Sequence, residues 1–187
     1  WIATQSDLLA LHSSLPNIVT DGLVLALDAG NVSSYPTTGT TWYDVCGQGN
    51  NGTLTNGPTF NSNGAIDFDG VDDEVNTSYY AQLNDFTVTV LFKDGGTAAW
   101  GRIVDKGYQS GFFISSYFAT YGSGYVGCGI IEPTPPHGVA LQYDTSRWHS
   151  FTSVRSGTTQ TIYLDGVTNT ATRTVSSATL NNTSVSI

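Results

Sequence analysis

RWHSFTSVRSGTTQTIYLDGVT, residues 147 to 168, decides the fold. Its first half alternates. Trp148, Ser150, Thr152 and Val154 fall on one side, and His149, Phe151, Ser153 and Arg155 on the other. Alternation at period two marks a strand with two different faces. Ser156-Gly157-Thr158 reads as a turn, and Thr159 to Leu164 as the returning strand. Asp165-Gly166 then suits a tight turn in which both central residues take positive φ. The stretch is an antiparallel hairpin, and its Trp148 is assigned to the core together with Trp42.

The same signals recur outward from this hairpin. Phe86 to Lys93, FTVTVLFK, alternates β-branched and aromatic residues with polar ones. Leu23 to Asp28 reads as the first strand, apolar on both faces. Shorter strands are expected at Thr53-Leu54, Ala65 to Asp69, Glu74 to Thr77, Arg102 to Asp105, Gly111 to Ser116, Gly127 to Ile131, Val139 to Tyr143, Ala171 to Val175 and Ser184 to Ile187. Turn signals every 8 to 12 residues separate them, which argues for a two-sheet antiparallel sandwich rather than a parallel α/β sheet. Tyr117 to Tyr125, rich in Tyr and Gly, reads as a loop. Residues 1 to 20 differ from the rest. Ser6 to His12 suits a short helix ended by Pro16, an arm that docks on a neighbour.

A chain of 187 residues makes one domain after that arm, residues 21 to 187. With 21 glycines and abundant Thr, Ser, Asn and Val, the composition favours strands and turns. The net charge is −9, with only six Lys and Arg. That argues against a nucleic-acid partner held through phosphates, and against an anionic membrane surface. No apolar run is long enough to span a bilayer. The chain has no methionine, position 1 included, and reads as part of a longer or processed polypeptide. Cys46 and Cys128 lie far apart in sequence with no metal-type spacing, and read as free thiols, with a single disulfide as the alternative in an oxidising compartment.

Trp148-His149, the alternating strand and Ile162 to Gly166, preceded by Asn50 to Leu54 and by Phe68 to Asp73, resemble the core motifs of laminin-G-like, concanavalin A-like jelly rolls. The resemblance covers Asp21 to Ile187. It implies an all-β jelly-roll sandwich, a packing role for His149, and a closing strand after Ser184 to Ile187 that this chain lacks. Leu23 to Tyr35, LVLALDAGNVSSY, resembles jelly-roll domains in structural proteins of tailed bacteriophages, marine ones in particular. That implies a virion-surface protein, a capsid decoration or tail fibre. It would assemble as a homo-oligomer with other virion subunits or with the rest of a longer polypeptide, and adhere to cell-surface polysaccharide. A secreted or cell-surface carbohydrate-binding module of a larger protein is the alternative, and a glycoside hydrolase a distant third.

Two groups of residues carry candidate chemistry. Asp67, Asp69, Asp72 and Asp73, with Glu74 beside them, form the densest acidic cluster, and closely spaced carboxylates are what Ca²⁺ requires. The competing reading is that Asp in such turns caps backbone amides. Asp28, Asp44 and Asn50 make a weaker group with the same alternative. Trp100, Tyr108, Tyr117, Tyr121 and Tyr125 fall in or beside expected loops and form the candidate glycan or partner surface. No catalytic residue is assigned. Asp67 and Asp69 alternate, but no third acid completes a glycosidase pattern, and no nucleophile elbow occurs.

Overall fold

The computed structural model describes residues 19–95, 101–107, 111–118, 122–130, 137–167, 169–175, 180 and 183–187. The predicted arm lies almost wholly outside them. Among the described residues the secondary structure is all β. The strands are β1 (Thr41–Trp42), β2 (Gly52–Thr55), β3 (Thr59–Asn61), β4 (Ala65–Asp67), β5 (Glu74–Tyr80), β6 (Phe86–Phe92), β7 (Arg102–Lys106), β8 (Phe112–Phe118), β9 (Gly122–Ile130), β10 (His137–Gln142), β11 (His149–Ser156), β12 (Thr159–Leu164), β13 (Thr170–Thr174) and β14 (Ser184–Ser186). No helix of the described residues is long and apolar enough to cross a membrane.

Eight strands form one antiparallel sheet in the order β1-β2-β5-β14-β7-β8-β9-β10, and four form a second in the order β13-β12-β11-β6. The strands β3 and β4 make a separate small hairpin. Val104, Phe112, Ile114 and Val126 of the large sheet meet Phe92, Phe151, Ile162 and Leu164 of the small one in a shared core. Burying a large apolar side chain contributes about 1.5–3 kcal/mol, so this interface holds the two layers together. A second core, Ala29, Tyr35, Trp42, Leu54 and Val75, closes the β1-β2-β5 end. The expected two-sheet antiparallel sandwich is therefore the observed architecture.

The organising hairpin is present as read. Phe151 opposes Leu164 and Ser156 opposes Thr159 across it, with Gly157 at φ 56° in its turn. Asp165 and Gly166 both have positive φ, 53° and 108°. The connection then continues to Thr170 rather than closing in two residues.

Three expectations are corrected. Trp148 is not core: it is 46 % exposed, while His149, Phe151, Ser153 and Arg155 face inward. Residues 23 to 28 are not a ladder strand. Leu25 and Leu27 still point into the two cores, but side chains satisfy much of the backbone here. Asp44 accepts from Ala26 N–H at 3.0 Å, and Asn50 donates to Val24 carbonyl at 2.7 Å. Finally, Tyr117, Phe118 and Gly122 to Tyr125 belong to strands β8 and β9 rather than to a loop, and residues 119–121 lie outside the described residues. Further along β9, Gly129 lets the Phe113 ring of β8 lie close, because a Cβ there would be 2.4 Å from it.

The buried face also holds charge. Arg155 is 2 % exposed and Lys106 is fully buried. The Lys106 ammonium donates to the Thr183 carbonyl and lies 5.8 Å from the Tyr79 ring centre. Burial lowers its pKa from the ordinary lysine value.

Candidate functional site

The acidic cluster sits where the β3-β4 hairpin runs on towards β5. Asn61 donates to Asp67 at 3.0 Å, which ties that carboxylate to the hairpin. The following loop folds on its own acids. Val71 N–H donates to Asp69 at 2.8 Å, and Asp69 N–H donates to Asp73 at 2.9 Å. Gly70, at φ 74°, makes the sharp bend between them. The Asn56 amide holds the Asp72 carbonyl at 2.7 Å, fastening the loop to the end of β2.

The result is that Asp69, Asp72 and Asp73 each offer a carboxylate oxygen, all within 4.8 Å of one another. Oxygens that share one Ca²⁺ at 2.3–2.6 Å lie within about 5 Å of each other, so these three fit that ion. Asp67 is not part of the triad but lines the same cleft, a depression of about 220 Å³ that also includes Asn56, Thr59 and Phe68. Phe68 is 39 % exposed beside it. Glu74 turns to Asn76, which donates to it at 2.8 Å, and stands outside the group. The capping role is observed: Asp69 and Asp73 each use one oxygen on a backbone amide.

The weaker oxygen group resolves as structural. Asp44 accepts from the N–H groups of Ala26, Cys46 and Asn50 and from the Cys46 thiol. Partial burial works to raise its carboxyl. The donors outweigh that and hold it below the usual carboxylate value.

The expected aromatic surface is not assembled among the described residues. Trp100, Tyr108 and Tyr121 lie outside them. Tyr117 and Tyr125 belong to strands β8 and β9 rather than to a loop, opposite Ser123 and Gln142 respectively. Tyr125 is half-buried.

A second depression, of about 330 Å³, opens on the outer side of the four-stranded sheet. Thr89, Ser150, Thr152 and Tyr163 line it, with Gly166 and Val167 as one wall. That wall is anchored from beneath. Asp165 accepts from Ser150 N–H at 3.0 Å and Arg147 at 3.0 Å, and sits 2.8 Å from His149 Nδ1. His149 is fully enclosed, with Nε2 2.7 Å from the Asp144 carbonyl and Tyr143 edge-on to its ring. Partial burial works to raise the Asp165 carboxyl, but its bonds to His149 and Ser150 outweigh that and hold it below the usual carboxylate value. This depression was not singled out in the sequence. Its signal was present as the alternation of Ser150 and Thr152 with buried residues.

Both thiols are free, as expected. Cys128 is enclosed by Gln160 Nε2 at 2.8 Å and Ser153 Oγ at 3.2 Å, and burial pushes its thiol up to about 11. Burial and the Asp44 hydrogen bond raise Cys46 also.

No protein-family model matches the chain, and no curated protein matches it. Among solved structures it is similar to domains LG4-5 of the mouse laminin alpha1 chain, at 15 % identity and a TM-score of 0.38. That match covers 59 % of this chain and 31 % of the laminin chain. It is also similar to the carbohydrate binding module CBM66 from Bacillus subtilis, at 17 % identity and a TM-score of 0.42, over 65 % of this chain and 76 % of that one.

Proposed function

We propose that this chain is a non-catalytic carbohydrate-binding domain whose rim cleft at Asp67 to Asp73 takes a sugar with the help of Ca²⁺. The observation that carries the reading is the triad of Asp69, Asp72 and Asp73 oxygens within 4.8 Å, two of whose members, Asp69 and Asp73, line a cleft with Asn56, Thr59 and the exposed Phe68. Amide and hydroxyl groups suit sugar hydroxyls, and an aromatic ring suits the apolar face of a pyranose. A bound Ca²⁺ would offset the three carboxylate charges and leave coordination positions open to ligand oxygens. Binding without turnover is favoured because the rim carboxylates cap their own loop and both thiols are raised rather than activated.

The test is a glycan array probed with and without EDTA, alongside Asp72→Asn. Asp72 is the cleanest variant because its side chain caps no backbone group in the loop described above. A sugar signal lost in EDTA and in Asp72→Asn supports the reading. A folded protein that binds no sugar, or binds it equally with EDTA, sinks the rim site. The resemblance of Leu23 to Tyr35 supports placing the domain on a virion surface as a decoration or fibre part, with an extracellular module as the alternative. Detection of the chain on the outside of purified particles by immuno-gold labelling separates the two.

A further inference from the structure

The geometry points to a second ligand surface, the outer face of the four-stranded sheet, suited to a neutral, extended polysaccharide. It shares only the ligand class with the rim-cleft reading and stands on different residues, so the two can fail separately. The inner side of this sheet is fixed by Val88, Val90, Phe151 and Ile162, which pack in the core. Alternation therefore turns the other set outward, and these positions are Thr or Ser apart from Leu91, Val154 and Tyr163. Cross-strand hydroxyls are already ordered: Thr89 to Thr152 at 3.0 Å and Thr161 to Thr172 at 3.1 Å. A hydroxyl pair that shares one proton keeps a second donor and free lone pairs for a ligand.

Charge is missing from this face, although the chain carries 15 acids and a net charge of −9. The two arginines of these strands turn inward. Arg155 is 2 % exposed, and Arg173 Nε donates to the buried Gln160 at 2.9 Å. Charged residues stand only at the strand ends, such as Lys93, Arg147 and Asp165. An anionic polymer would find no cations across the sheet, and a cationic one no carboxylates.

Two aromatic rings complete the surface. Tyr163 lines the 330 Å³ depression between Thr152 and Thr170 in register. Trp148, 46 % exposed, lies on the same face beyond Ser150. Four residue steps run from Trp148 to Thr152, the partner of Tyr163, so the two backbone positions stand roughly 14 Å apart along the strand direction. That spacing suits several consecutive sugars rather than one. A second copy of this chain is a poorer occupant. Protein interfaces need an apolar core, and here Leu91, Trp148 and Val167 are the large exposed apolar residues of the face.

The test is affinity gel electrophoresis of the whole chain through gels holding a neutral glucan, mannan or galactan, or a polyuronate. We expect retardation by at least one neutral polymer that persists in EDTA and in Asp72→Asn. It should fall tenfold or more in Tyr163→Ala and in Trp148→Ala. Thr89→Arg, fully on the surface, serves if Tyr163→Ala unfolds. No retardation of the folded protein by any neutral polymer overturns the proposal. So does retardation unchanged by Tyr163→Ala and Thr89→Arg, retardation by polyuronate only, or retardation lost in EDTA. A dimer in light scattering that Thr89→Arg breaks would also overturn it, by assigning the face to self-association.

Discussion

Asp165 shows how much one side chain does in this fold. It binds Arg147, His149 and the Ser150 amide at once and so pins the start of β11 to the end of β12. Asp165→Asn should lower stability by about 1–3 kcal/mol, read by urea denaturation at pH 7. Its folded carboxyl lies below the ordinary value, so the unfolded chain binds the proton first as pH falls. The stabilisation is therefore present above about pH 4 and is lost as pH drops through the folded value. Below that, wild type and Asp165→Asn should converge in melting temperature, and a constant gap down to pH 2 would contradict this. Asp72→Asn makes the opposite prediction for stability. Its melting temperature should stay within a degree or two of wild type, while calcium affinity measured by calorimetry falls at least tenfold. The choice between the two faces of β11 was legible only through the family resemblance, whose packing role for His149 agrees with its burial. Alternation defines two faces without saying which is inside, and an apolar Trp148 beside a polar His149 points the wrong way. Inside, both His149 ring nitrogens are satisfied, by Asp165 and by the Asp144 carbonyl, and Arg155 Nε donates to the Gly157 carbonyl at 3.3 Å.

At the scale of elements, the strongly alternating segments were legible, β6, β11 and β12 above all. Segments that depart from plain alternation were not. Residues 23 to 28 are extended and apolar yet join no ladder, because Asp44 and Asn50 take the place of a neighbouring strand. The second half of β9 was legible as the strand Gly127 to Ile131, but its first part, Gly122 to Tyr125, looked like a loop because glycine usually weakens strands. Here glycine is what lets the β8 side chain lie across it. Gly129→Ala would place a methyl 2.4 Å from the Phe113 ring, which is itself buried with the Arg102 guanidinium 3.8 Å above it. The ring has little room to move, so we expect a loss of about 1–3 kcal/mol by chemical denaturation. The acidic loop was legible as a cluster, since its members are close in sequence. Its division into a triad plus Asp67 depended on the Gly70 bend and the Asn56 tether.

At the scale of the molecule, cohesion comes from two apolar cores and antiparallel ladders. The two thiols are free, so no covalent link between them contributes. Thermal stability should be the same with and without a reductant. A drop in melting temperature in dithiothreitol would reveal a disulfide that this arrangement does not contain. The sandwich as a class was legible from strand spacing. The unequal partition into eight and four strands was not, because it depends on which edges meet in space. That partition is also what leaves the small sheet's outer side as a broad uncharged surface, while the acidic loop sits beside the separate β3-β4 hairpin.

The burial of Lys106 has a practical reach. The chain has two lysines, and only Lys93 is exposed. Lys93 follows Phe92, which pairs with His149, so its backbone position falls at the margin of the threonine-rich face, at the end where Trp148 precedes β11. Reagents that couple through side-chain amines would tether the protein there. On a biosensor chip this would turn that face towards the matrix and hide it from any polymer in the flow. Immobilisation through an affinity tag would leave it free, and the difference between the two mountings would itself report which side of the molecule the ligand uses.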